Sequence, residues 1–343
     1  MDESTVAATF CATIVDEWAR GGVTDAVVAP GSRSTPLTVA LARDDRIRGW
    51  RANATVTGVD REPGATTASV TPPRAHSSTS VAQKVAATID SSTVQDSTVG
   101  RVSSPPLVLA HGFTQSGRAW GPLPGLLGDQ RPIIAVDLAG HGSSPVARDL
   151  PEAAHRLGRD GGWGSYLGYS LGGRIALHLA LAQPDRVAAL VLLGAHPGIE
   201  DPTERDARRR ADDDLAERLE AIGLEAFLDE WLAQPLFASL PPEADQRAPR
   251  LANDPAALAA SLRNLSTGRQ VPLWDRLPAL AMPVLVLAGE RDEKYTRLGR
   301  QAVAAIGANA SLEVVPDAGH AAHLEQPEFV AQRVRAFLTA SGL

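Results

Sequence analysis

From about Pro105 onward, short continuous apolar runs alternate with longer amphipathic stretches. The runs at 107–110, 133–136, 165–169, 187–193, 284–288 and 312–315 have strand length, and helical periodicity, as at 174–182, separates most of them. Strands covered on both faces read as unbroken apolar text, so this alternation predicts an α/β fold: a mainly parallel sheet with helices on both sides. Between Pro197 and Arg276 the strand text vanishes, and 204–220 and 224–233 read as charged helices. That predicts a helical cap at about 197–276, inserted over the sheet's carboxyl edge, where such folds bind ligands.

The first hundred residues are different. Phe10, Ile14 and Trp18 recur at helical spacing behind Ser4, Gly21-Gly22 stops the helix, and 25–29 reads as a strand. Pro30-Gly31-Ser32-Arg33-Ser34 then leads into a second predicted helix at 36–43. Such a glycine turn presents backbone N–H groups, with Arg33, to an anion, and equally suits an ordinary strand–helix connection. In 51–104, 18 of 54 residues are Ser or Thr, and Leu, Met, Phe, Tyr and Trp are absent. Such text buries too little apolar surface to offset chain entropy. The expected organisation is therefore an N-terminal fragment (1–48), a disordered linker (49–104) with helical tendency at 81–89, and an α/β domain (105–343).

Composition adds exclusions. With 343 residues and 44% apolar content the chain can build a large core. A net charge of −7 argues against non-specific nucleic-acid binding. The single cysteine, Cys11, forms no internal disulfide and no cysteine-rich zinc site. No membrane-span run and no basic, apolar leader is present, which gives a cytoplasmic expectation.

The chemistry concentrates in Gly168-Tyr169-Ser170-Leu171-Gly172, a G-x-S-x-G sequence between a predicted strand and a predicted helix. That context suits a nucleophile elbow, in which flanking glycines let a tight turn expose the serine hydroxyl. A serine needs a histidine to take its proton and an acid to fix that histidine's tautomer. Asp292, after the strand at 284–288, and His320, after that at 312–315, follow in the order this scaffold uses. His111-Gly112-Phe113 closes the first strand, so the N–H groups of Phe113 and Leu171 are the expected oxyanion hole. His111 is expected to shape that loop, and His141, His155, His178, His196 and His323 to be structural or solvated. Arg174 lies one helical turn after Ser170, and Arg208 and its neighbours open the cap. Most of those arginines read as a solvated face with pairs such as Arg208 and Asp212, but guanidinium groups beside the serine suit a polycarboxylate better than a neutral ester.

From Leu107 to Phe337 the chain resembles the 2-succinyl-6-hydroxy-2,4-cyclohexadiene-1-carboxylate synthases (MenH), α/β-hydrolase-fold lyases of menaquinone synthesis. The resemblance rests on His111-Gly112-Phe113, Asp137-Leu138-Ala139-Gly140-His141-Gly142, GYSLGGR at 168–174, His196-Pro197-Gly198, QPLFAS at 234–239, GERDEK at 289–294 and Ala318-Gly319-His320. It implies elimination of pyruvate from 2-succinyl-5-enolpyruvyl-6-hydroxy-3-cyclohexene-1-carboxylate without a cofactor. Ser170 would be the base, activated by His320 and Asp292. Tyr169, Arg174, Arg208, Trp231, Arg250 and Lys294 would bind the small polycarboxylate substrate. The stretch between His141 and Tyr169 is short for that family. Residues 8–48, above all Ala29 through Leu37, resemble the start of the thiamine-diphosphate-dependent synthase of the same pathway (MenD). The likeness ends near Arg48, which implies no thiamine chemistry and leaves open a fusion remnant, a docking element for a pathway-enzyme partner, or a gene-model artefact. A serine ester or thioester hydrolase is the competing enzyme reading, and a catalytically silent scaffold the competing non-enzyme one.

Overall fold

The computed structural model describes Val27–Val28, Arg51–Ala52 and residues 104–129 and 131–343. The chain divides into two compact units, Met1–Val94 and Gln95–Leu343. In the first, Val27–Val28, within the expected strand, pairs in parallel with Arg51–Ala52. Its second strand, Arg51–Ala52, falls inside the stretch expected to be linker; a backbone ladder needs no apolar side chain, so composition is blind to it. The expected helices at 10–18, 36–43 and 81–89 and the turn carrying Ser32 and Arg33 lie outside the described residues.

The second unit is built on six parallel strands: β1 (Leu107–Ala110), β2 (Ile133–Val136), β3 (Gly164–Tyr169), β4 (Val187–Leu193), β5 (Val284–Gly289) and β6 (Ala310–Val315). Their spatial order is β2-β1-β3-β4-β5-β6. Side-chain alternation divides the core into two layers. Val108, Tyr166, Leu190 and Val286 face one layer with α2 (Leu150–Gly161), α3 (Leu171–Ala182) and α7 (Glu293–Ile306). Leu107, Leu167, Val191 and Leu285 face the other with α1 (Leu123–Leu127), α8 (Ala322–Glu325) and α9 (Pro327–Ala340). The short stretch before Tyr169 is structurally complete: it holds the twelve-residue α2, capped by Asp149, and the whole of β3.

Between β4 and β5 lie α4 (Pro202–Leu232), α5 (Arg247–Leu251), α6 (Pro255–Asn264) and several 3-10 turns. Two separate helices were expected where α4 runs, and the element does break, at Gly223 (φ 78°, ψ 168°). Arg218 and Glu230 clasp the two halves through paired contacts of 3.1 and 2.5 Å. Ala216, Leu219 and Phe227 of α4 pack on Leu258, Ala259 and Leu262 of α6, giving the cap its own core.

The turn from β3 to α3 positions everything that follows. Ser170 sits at φ 50°, ψ −107°, a conformation held by the N–H of Ser170 donating to Leu193 O at 2.8 Å and that of Gly172 to His111 O at 3.0 Å. A Cβ on Gly172 would stand 1.9 Å from the Ala110 carbonyl oxygen, and one on Gly168 2.5 Å from Gly173 Cα. Both glycines are therefore required by backbone contact. Gly172→Ala is expected to cost at least about 2 kcal/mol of stability, because the strand carbonyl cannot retreat from the added methyl; urea unfolding against wild type measures it.

Burial also gives acid sensitivity. It lowers His111 and His178 to about 4, and His141 and His323 to about 3, from 6.5. These rings stay neutral in the fold but bind protons once unfolded. Their contribution to stability is present above about pH 6.5 and is lost as pH falls toward 4. The urea midpoint should accordingly drop between pH 7 and 4.5; an unchanged midpoint would contradict the buried neutral state.

Candidate active site

Three strands that end at the sheet's carboxyl edge each deliver one part of the site. Ser170 follows β3, Asp292 follows β5 and His320 follows β6. His320 Nε2 is 3.1 Å from Ser170 Oγ, and His320 Nδ1 is 2.7 Å from Asp292 Oδ2. The carboxylate accepts the Nδ1 proton, so the Nε2 lone pair faces the serine hydroxyl. Asp292 is also the N-cap of α7, its Oδ1 accepting from the N–H of Tyr295 at 3.2 Å. The helix and the histidine thus fix the carboxylate from two sides.

The loop after β1 is held by its own hydrogen bonds. His111 Nδ1–H donates to Gly112 O at 2.8 Å while Nε2 accepts from the N–H of Leu138 at 3.0 Å, and the N–H of Gly112 donates to Gln115 Oε1 at 2.9 Å. His111 shapes the loop, as expected. Among the described residues, no hydrogen bond uses the N–H of Phe113 or of Leu171. Both residues line the cavity containing Ser170, and Leu171 opens the twelve-residue α3, whose N-terminus favours developing negative charge.

The cap closes over this edge, and α3 and the cap both supply cations. Arg174 is buried, with Nη1 donating to Gln270 Oε1 at 3.1 Å and Nη2 to Leu265 O at 2.7 Å. Arg250, 1% exposed, donates from Nε to Asp245 O at 2.7 Å and from Nη1 to Thr114 Oγ1. Neither pairs with a carboxylate among the described residues; all of these acceptors are neutral. Burial pulls both guanidiniums down to about 10, which leaves them charged at neutral pH. Arg208 differs: its Nε meets Asp212 Oδ1 at 2.9 Å, the pair anticipated from spacing, and Asp212 also accepts from Ser266 Oγ at 2.6 Å. Buried positive charge without a counter-ion is costly, and an anionic ligand would neutralise it.

Tyr169 and Trp231 complete the group that lines the cavity with Ser170. Tyr169 is buried, its ring 4.3 Å from that of His323 and 5.4 Å from that of His320; burial pushes its phenol up, so it stays protonated. Trp231 meets Phe113 edge-on at 5.2 Å, and its Nε1–H is buried with no partner. Lys294 departs from expectation. It does not line the cavity; its ammonium stands 5.7 Å from the ring centroid of Tyr295, for at the start of α7 its neighbour takes the inward direction. Tyr295 and His196 do line the cavity and were missed. The available signal for Tyr295 was its place three residues after Asp292, on the same helical face. His196 was set aside as structural or solvated, yet it is partly buried and lowered to about 4, first by burial and then by Lys294 and Arg174. Its Nδ1 accepts from the N–H of Gly198 at 3.0 Å, which leaves the proton on Nε2. Among the described residues no cluster of His, Cys, Asp and Glu could hold a metal ion, and no helix is long and apolar enough to cross a membrane.

Comparison with known proteins gives the family. The model of the alpha/beta hydrolase family matches residues 107–333. The chain is 36% identical over 249 residues to the 2-succinyl-6-hydroxy-2,4-cyclohexadiene-1-carboxylate synthase of Pectobacterium atrosepticum, covering 68% of this chain and 94% of that one. Its fold is similar to MenH from S. aureus, with TM-score 0.66 and 30% identity over 71% of this chain and 97% of that one. It is also similar to a thermophilic esterase from Thermogutta terrifontis, solved with malate bound, with TM-score 0.58 and 28% identity over 70% of this chain and 91% of that one. The chain belongs to the alpha/beta hydrolase family and, within it, to the family of the 2-succinyl-6-hydroxy-2,4-cyclohexadiene-1-carboxylate synthases.

Proposed function

We propose that this chain is a carbon–oxygen lyase of menaquinone synthesis, eliminating pyruvate from 2-succinyl-5-enolpyruvyl-6-hydroxy-3-cyclohexene-1-carboxylate to give 2-succinyl-6-hydroxy-2,4-cyclohexadiene-1-carboxylate. The observation that carries this reading is the pairing of an assembled Ser170–His320–Asp292 relay with two buried guanidinium groups, Arg174 and Arg250, that lack a carboxylate partner among the described residues. A neutral ester offers nothing to neutralise them; a substrate with several carboxylates does.

In this mechanism His320 Nε2 takes the Ser170 proton, and the serine oxygen removes a proton from substrate carbon. The electron pair released forms the new ring double bond as the carbon–oxygen bond to the enolpyruvyl group breaks. The departing enolate gains a proton and becomes pyruvate. Charge that develops on a conjugated carbonyl of the ring substituent is met by the N–H groups of Phe113 and Leu171. Arg174, Arg208 and Arg250 hold the carboxylates, while Tyr169 and Trp231 set the ring against Ser170. Lys294, outside the cavity, contributes through the positive field at its rim.

The organisation of the chain follows this reading: residues 105–343 carry the chemistry, with the cap at 197–276 holding substrate. The likeness of residues 8–48 to the start of the thiamine-dependent synthase supports a docking role toward a pathway-enzyme partner, in the cytoplasm.

Pyruvate release from the authentic substrate, followed by a coupled dehydrogenase, tests the reaction. Wild type should release pyruvate and Ser170→Ala should lose at least about a thousandfold in kcat, as removal of an activated nucleophile or base does elsewhere. Hydrolysis of a simple aryl ester without pyruvate release would instead favour an esterase. Arg208→Ala should lower kcat/KM for pyruvate release about 10- to 150-fold, the worth of one charge-assisted contact, and leave aryl-ester turnover nearly unchanged. Equal losses on both substrates would remove Arg208 from carboxylate binding.

A further inference from the structure

Tyr295 occupies a singular place beside the relay. Its backbone N–H donates to Asp292 Oδ1 at 3.2 Å, and its ring lies 4.5 Å from that of His320, at 47°. The ring of His196 meets it edge-on at 6.4 Å. These contacts hold the ring from the relay side and from the end of β4. The hydroxyl hydrogen-bonds to no described residue, yet it is not among the polar atoms buried without a partner, so it opens onto the cavity that the residue lines.

The charges acting on this phenol are informative. Burial raises its pKa, opposed mainly by Arg208 and then Arg174, so the group stays protonated and donates. Arg174 and Arg208 line the same cavity as this phenol, whose oxygen can accept from a guanidinium while its O–H remains free to donate. That O–H can serve a carboxylate that both arginines attract.

We propose that the Tyr295 hydroxyl donates a hydrogen bond to a substrate carboxylate held by Arg174 and Arg208, and so sets specificity for a polycarboxylate. The inference rests on the polyanion reading above and extends it to a residue that neither the motifs nor the arginine argument singled out. Because Tyr295 also braces His320 and Asp292 through its ring and backbone, binding and relay must be separated. Tyr295→Phe does this by removing only the oxygen.

The test uses the full chain and two readouts: KM and kcat for pyruvate release, and the affinity of isophthalate, an unreactive aromatic dicarboxylate, from the thermal shift it induces. Tyr295→Phe should raise KM about tenfold or more with kcat within about twofold of wild type, and weaken isophthalate by a similar factor. Its melting temperature without ligand should match wild type. KM and isophthalate affinity both within twofold of wild type would overturn the proposal. A fall in kcat with KM and isophthalate affinity unchanged would also overturn it, since the tyrosine would then act on His320 alone. If wild type bound isophthalate but released no pyruvate, the lyase reading would fail, and the isophthalate comparison would still decide the role of Tyr295.

Discussion

The site depends on a backbone approach that no side chain larger than hydrogen permits. Where β3 turns into α3, Gly172 presses against the carbonyl oxygens of Ala110 and His111 at the end of β1. This contact brings the first turn of α3 alongside the loop that carries Phe113. The same approach exposes Ser170 in a conformation that an isolated peptide would rarely adopt. The two free N–H groups, the serine oxygen and the start of a helix dipole therefore arrive together. The strain is borne by the four buried central strands, β1, β3, β4 and β5, packed on both faces.

Upon this frame the cap introduces a second principle, charge that the protein does not neutralise for itself. Exposed arginines of α4 are paired locally: Arg209 and Arg210 with Asp206, Arg218 with Glu230. Arg174 of α3 and Arg250 of α5, turned inward toward the cavity, are satisfied by carbonyls, an amide and a hydroxyl. The contrast separates arginines that solvate a surface from arginines that await a ligand. Asp212 is the intermediate case, buried and shared between Arg208 and Ser266, and it restrains Arg208 at Nε without covering the rest of the guanidinium.

Much of this was legible in the sequence because it is written in local rules. Continuous apolar runs place all six strands, with β1, β2 and β4 at their full extents, and G-x-S-x-G between strand and helix places the elbow. The triad order follows from strand succession. What escaped was set by packing across the cap. Whether Lys294 or its neighbour Tyr295 faces the cavity depends on how α7 is rotated against β5 and β6, and two adjacent residues of a first helical turn differ by only about 100°. His196 escaped because its environment comes from Tyr295 and distant cations rather than from its own neighbours in the chain. The break at Gly223 was visible as a gap between two helical stretches, but not the ion pair that spans it.

Asp292 shows how closely architecture and chemistry share atoms here. One oxygen starts a fourteen-residue helix and the other orients an imidazole. Truncating this side chain would therefore unsettle a structural terminus and a proton relay at one stroke, and the resulting loss could be credited to neither. Asparagine, which retains helix-starting ability while offering the ring an amide in place of an anion, is the replacement that disentangles the two duties.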